Sequence, residues 1–169
     1  MGKNIVLIGF MGTGKSSIGQ RLAQKLKKRF VDMDSEIELV CGMSIPDIFR
    51  RCGEVRFRSE ESLMARKVGQ QKNLVIATGG GAVLVPENIA ALRENGILIC
   101  LDASPADIQA RVNRKKGTRP LLKSNVSIED IEKLLQEREA FYACADIRIN
   151  TSGKDMESII NEILPVIKE

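Results

Sequence analysis

Five short apolar runs punctuate the chain: residues 4–8, 30–31, 74–77, 97–102 and 146–150. Longer stretches between them carry apolar residues every three or four positions. Several of the runs do not alternate apolar with polar, which is the pattern of strands covered on both faces. The intervening period near 3.6 predicts helices. Strand and helix in alternation predict an α/β fold, with a parallel sheet between two helical layers. Helix starts are legible at Ser44-Ile45-Pro46-Asp47, Ser104-Pro105-Ala106-Asp107 and Ser127-Ile128-Glu129-Asp130, each with a serine cap and an acid in the first turn. Residues 113–125 are poor in apolar side chains and predict an exposed loop, a candidate lid.

Two predicted helices carry a charge on their apolar stripe. Over residues 54–71 the stripe is Phe57, Met64 and Val68, and Glu61 falls on it. A buried acid needs a partner, and Arg58, three residues earlier, can supply one. The pair is either a structural ion pair or a device by which Glu61 aims Arg58 at an anion. In the helix after Ser127, the core face is predicted to be Ile128, Ile131, Leu134, Leu135, Phe141 and Tyr142, and Arg138 shares it. A guanidinium so placed calls for a carboxylate or phosphate. Together Arg58 and Arg138 suggest recognition of a ligand carboxylate.

The segment Gly9-Phe10-Met11-Gly12-Thr13-Gly14-Lys15-Ser16 matches the P-loop pattern. It follows an apolar run and opens an amphipathic stretch with Ile18, Leu22 and Leu26, the strand–loop–helix context the pattern requires. Its glycines let successive N–H groups converge on phosphate oxygens, and the helix start adds its positive dipole end. Lys15 would reach the β- and γ-phosphates and Ser16 would ligate Mg²⁺.

Asp32 and Asp34 follow the second run, at the sheet edge where ligands of parallel sheets bind. Read as extended chain, the two point the same way. One would serve a Mg²⁺ ion through water and the other an acceptor hydroxyl; alternatively Asp34 caps a helix beginning at Ser35. Gly79-Gly80-Gly81 follows the third run, where many P-loop proteins place a metal-binding acid. Here the glycines allow close backbone approach to a ligand. Arg111, Arg114, Lys115, Lys116, Arg119 and Lys123 cluster in or beside the candidate lid. Of these, Arg119, in Arg119-Pro120-Leu121-Leu122, is suited to steady charge on a transferring phosphoryl group.

Composition narrows the chemistry. At 169 residues, with 43% hydrophobic and 28% charged side chains, the chain has the size and balance of one globular domain. No apolar run approaches a membrane span or a signal-peptide core, so a cytoplasmic location is expected. There is no histidine, which removes Ser-His and Cys-His mechanisms. The four cysteines form no CxxC pair, so reduced thiols rather than a zinc site are expected. A net charge of +4, no Trp and one Tyr suit small anionic ligands better than nucleic acid. Monomer is the default expectation.

In combination, residues 9–16, Asp32-Met33-Asp34, Phe57-Arg58-Ser59-Glu60-Glu61, Gly79-Gly80-Gly81, Arg119-Pro120-Leu121-Leu122 and Arg138 before Phe141-Tyr142 resemble the shikimate kinase family. The resemblance runs over nearly the whole chain. It implies a three-layer α/β/α P-loop kinase fold with five parallel strands in the order 2-3-1-4-5, a substrate-binding segment at about 33–61 and a lid at about 112–125. It implies Mg²⁺-dependent transfer from ATP to the 3-hydroxyl of shikimate. By position, Asp34 would contact the reacting hydroxyl, Asp32 and Ser16 would serve Mg²⁺, and Arg58 and Arg138 would bind the carboxylate. Gly80 would touch the ring, with Ile45, Phe49 and Phe57 as the apolar wall. Gly12, Thr13, Gly14, Lys15, Ser16, Ser17, Arg111 and Arg119 would hold the nucleotide; Ser17 stands where many members have Thr. Two other readings share the P-loop: a gluconate-kinase-like sugar-acid kinase and a non-catalytic nucleotide-binding module. The first does not readily account for Asp34, Arg58, the triple glycine and Arg138 together, and Lys15, Asp34 and Arg119 argue against the second.

Overall fold

The computed structural model describes residues 2–114 and 126–168. Among them, strands β1 (Asn4–Ile8), β2 (Arg29–Asp32), β3 (Leu74–Ala77), β4 (Gly96–Asp102) and β5 (Ile147–Asn150) form a parallel sheet in the order β2-β3-β1-β4-β5. β1 and β3 are buried along their whole length, which is why their sequences run apolar without alternation. Asp32 is level with Ala77 on β3, and Ala77 with Leu7 on β1. The C-terminal strand ends therefore share one rim, and the chemistry-bearing loops leave from it.

The helices are α1 (Lys15–Leu26), α2 (Met33–Cys41), α3 (Ile45–Cys52), α4 (Glu54–Gly69), α5 (Pro86–Arg93), α6 (Pro105–Arg114), α7 (Ile128–Tyr142) and α8 (Met156–Ile167). Alternate strand residues feed two cores. Ile5, Leu7, Val75, Ile99 and Leu101 pack with Leu22 of α1 and Ile160 and Ile163 of α8. Val6, Ile8, Ile76, Leu98 and Cys100 pack with residues of α2 through α7. The result is the three-layer α/β/α arrangement. The serine caps form as the sequence implies: Ser44, Ser104 and Ser127 accept from the backbone N–H of Asp47, Asp107 and Asp130.

Three expectations need correction. Asp32 and Asp34 do not lie on one extended strand. β2 stops at Asp32, whose carboxylate caps α2 by accepting from Ser35 N–H, and Asp34 sits in the first helical turn. The helix thus starts at Met33, with Asp32 rather than Asp34 as its cap. Phe141 is not on the core face of α7. It is 38% exposed, while Tyr142, one helical turn after Arg138 on the inward face, is buried with its hydroxyl donating to Gly80 O. Residues 112–114 belong to α6, not to a loop, since Val112 follows Ile108 by one helical turn and both are buried. The remainder of the candidate lid, with Lys115, Lys116, Arg119 and Lys123, lies outside the described residues.

Candidate active site

The loop between β1 and α1 is a cradle at the sheet rim. Gly9 has φ 145°, and a Cβ there would stand 2.5 Å from the Leu101 carbonyl, so no larger residue fits. Gly14, at φ 98°, turns the chain into α1. Side chains secure the carbonyl edge of the loop. Lys15 Nζ donates to Gly9 O (2.7 Å) and Phe10 O (2.9 Å), Thr13 Oγ1 to Phe10 O, Arg111 Nη1 to Gly12 O (2.8 Å) and Thr151 Oγ1 to Thr13 O. Lys15 is nearly buried, at 8% exposure. Its ammonium therefore lies across the concavity and not out in solvent. Ser16 Oγ donates to Asp32 Oδ2 at 2.6 Å. A hydroxyl and one carboxylate at the mouth of a phosphate cradle are hard oxygen donors of the kind Mg²⁺ takes alongside phosphate oxygens.

The cradle opens on a cleft of about 400 Å³ lined by Gly12 to Ser17, Asp32, Asp34, Thr78, Gly80 and Arg111, among others. Its far wall comes from the β5–α8 turn and α8, through Thr151, Lys154, Met156 and Ile159. The sequence reading missed these. They belong to no recognisable motif and reach the cleft only because β5 lies beside β4 and α8 packs next to α1.

The acceptor-side residues gather around Gly79–Gly81. A Cβ on Gly79 would lie 2.8 Å from Asp34 Oδ1 and 2.9 Å from Glu61 Oε2, so two carboxylates approach one backbone position. A Cβ on Gly81 would collide with the Arg58 guanidinium. The carbonyl of Gly80 accepts from Arg138 Nη1 (3.1 Å) and from the Tyr142 hydroxyl (3.4 Å). The glycines thus make room for the site's own charged side chains, a reason the sequence did not disclose.

Glu61, 1% exposed, pairs through Oε1 with Arg58 Nη1 at 2.9 Å; its buried Oε2 has no hydrogen-bond partner among the described residues. Burial pushes the Glu61 carboxyl above the usual carboxylate range, against the pull of Arg58 and then Arg138. Arg58 also rests on the Phe57 ring, 5.3 Å from its centroid, and Phe57 packs on Phe49 with ring centroids 4.9 Å apart. Ile45 is half-buried against the same core, and its N–H donates to Glu38. Arg138 lies over the Phe10 ring at 5.2 Å. Arg58, Arg138, Glu61, Ile45, Phe49 and Phe57 do not line the cleft itself. Arg58 and Arg138 meet it through the glycine turn, whose middle residue Gly80 does.

The profile of the shikimate kinase family matches residues 11–168. The chain belongs to the shikimate kinase family. A shikimate kinase of Pelotomaculum thermopropionicum is 50% identical over 167 residues, covering 99% of this chain and 96% of that one. One from Geobacter sulfurreducens is 46% identical over 170 residues, covering 99% and 92%. Among solved structures, a shikimate kinase from Acinetobacter baumannii in complex with shikimate superimposes with a TM-score of 0.93 at 35% identity, covering 99% of this chain and 94% of that one. A gluconokinase from Sinorhizobium meliloti superimposes with a TM-score of 0.61 at 14% identity, a likeness of fold alone. The chain is thus a kinase on the P-loop α/β scaffold.

Proposed function

We propose that the chain transfers the γ-phosphoryl group of ATP to the 3-hydroxyl of shikimate, giving shikimate 3-phosphate and ADP in the cytoplasmic synthesis of aromatic amino acids. The observation that carries this reading is the Gly79–Gly81 turn. It joins Arg58, Glu61, Arg138 and Asp34 on one side to the phosphate cradle on the other. A carboxylate grip and a triphosphate grip so joined suit a small hydroxy acid.

In this reading Arg58 and Arg138 hold the shikimate carboxylate by charge-assisted hydrogen bonds, with Glu61 fixing Arg58 and with Ile45, Phe49 and Phe57 as the apolar wall. Gly80 touches the ring. Gly12, Thr13, Gly14, Lys15, Ser16 and Ser17 hold the phosphates, and Arg111 flanks the nucleotide. The acceptor oxygen forms a bond to the γ-phosphorus as the bond from that phosphorus to the β–γ bridging oxygen breaks. Asp34 takes the hydroxyl proton, and Lys15 and Arg119 steady the charge on the transferring group. Ser16 and Asp32 would hold Mg²⁺, which supplies neutralisation of phosphate charge when bound. Residues 33–61 act as the substrate-binding segment and the chain after α6, through 125, as the lid, in a monomer.

A coupled assay of ADP release with ATP, Mg²⁺ and shikimate tests the proposal, run beside gluconate. Turnover with shikimate and none with gluconate is expected. Turnover with gluconate alone would replace the substrate, and ATP binding without turnover of either acid would overturn the enzymatic reading.

A further inference from the structure

Arg148 lies outside every motif in the sequence and lines no cleft, yet it makes the densest set of ionic hydrogen bonds among the described residues. It stands on β5, level with Cys100 of β4. Its Nε and Nη2 donate to the two carboxylate oxygens of Asp102 at 3.0 and 2.8 Å. Its Nη1 and Nη2 also donate to both oxygens of Glu139, the second at 3.1 Å. One planar guanidinium thus holds two carboxylates in fork geometry, which a lysine cannot reproduce. Asp102 ends β4, and its backbone carbonyl accepts from Thr151, which also donates to the P-loop at Thr13. Glu139 is on α7, immediately after Arg138. The two neighbours point to different anchors: Glu139 to Arg148 on the sheet, Arg138 to the Gly80 carbonyl and the Phe10 ring. A helix pinned on one side only can roll about its axis; pinned on both sides, it presents Arg138 at one angle.

We propose that Arg148 is a positioning residue for the acceptor site: by tying Glu139 of α7 to Asp102 of β4, it sets the rotation at which Arg138 faces the Gly80 turn. This rests on the reading of Arg138 as a carboxylate-binding residue. Arg148 touches neither substrate, so its loss acts on the acceptor's KM. The cradle's tethers from Lys15, Thr13 and Arg111 do not pass through it, and the Thr151 tether meets Asp102 at its backbone carbonyl, not at the carboxylate that Arg148 holds.

The test is steady-state kinetics of Arg148→Met, Arg148→Lys and Glu139→Gln, alone and combined with Arg138→Lys. Arg148→Met is expected to raise the shikimate KM about five- to tenfold, with kcat and the ATP KM changed by less than about twofold. Arg148→Lys should recover melting temperature better than it recovers KM. In the Arg138→Lys background, Arg148→Met should raise KM by less than a further twofold or so, since the residue it positions is already impaired. A lower melting temperature with unchanged shikimate KM would make Arg148 merely structural and overturn the proposal, as would an equal rise in both KM values. Should Arg148→Met not fold, Glu139→Gln, at a more exposed position, must show the same acceptor-specific rise or the proposal fails. If Arg138→Lys itself leaves the shikimate KM unchanged, the carboxylate reading fails; if it raises KM while the Arg148 and Glu139 variants do not, only the positioning role fails.

Discussion

Asp34 and Glu61 are two acids converging on one glycine, and their surroundings separate them. Asp34 lines the cleft, in the first turn of α2. Asp34→Asn is expected to lower kcat by about a hundred- to ten-thousandfold while nucleotide affinity, measured by titration calorimetry, stays within about twofold. Glu61 is buried, and its carboxyl titrates above the ordinary range in the folded chain. The native state therefore keeps that proton to higher pH than the unfolded chain does. The group favours folding most below its unfolded value, and that contribution is lost as pH rises through the folded value. Glu61→Gln should flatten this fall in denaturation midpoint on the alkaline side of the ordinary carboxylate range, and an unchanged pH slope would show that folding does not shift the Glu61 carboxyl. At Arg138, exchange for Lys keeps the charge but loses the fork. The shikimate KM should rise about tenfold, read against an ATP KM that stays level.

Among the elements, α4 is fixed by a backbone approach. A Cβ on Gly69 would collide with the Ala91 carbonyl of α5, so the two helices pack at a distance only glycine permits. Gly69→Ala should cost about 1–3 kcal/mol in urea unfolding, and because α4 carries Arg58 and Glu61, the shikimate KM should rise with it. The elements were mostly legible in sequence. The apolar runs marked the strands to within a residue or so, and the serine caps marked three helix starts, since both signals are local. The β2–α2 junction was not legible. Two carboxylates two residues apart look alike in sequence as helix caps, and only the capping bond from Ser35 N–H shows that Asp32 is the one. Phe141 failed for a similar reason, while Tyr142 was placed correctly: two adjacent aromatics both suit a core face until the helix rotation is known.

For the molecule as a whole, the cleft proposed to hold nucleotide draws on chain from both ends. The P-loop comes from the first sixteen residues, while Thr151, Lys154 and Met156 come from the last twenty. Nucleotide should therefore stabilise the fold cooperatively. ADP with Mg²⁺ at about a hundred times its Kd should add roughly 2.7 kcal/mol, seen as a rise in melting temperature of about 5–10 °C. Ser16→Ala should remove the part of that rise that depends on Mg²⁺. Among the described residues no helix is long and apolar enough to cross a membrane.

What the sequence determined alone was whatever depends on neighbours along the chain. That covers the strand and helix periods, the caps, the glycine-rich turn into α1, and the ordered set of motifs that placed the chain in its family. What only the tertiary structure decided was which distant groups share a volume. Gly79 and Gly81 are small because Asp34, Glu61 and Arg58 fill the space beside them, and Arg148 can reach Asp102 and Glu139 at once because β5 lies next to β4. Backbone propensity acts over a few residues and is written locally, whereas the burial of a charge beside its partner is settled only when the sheet order brings them together.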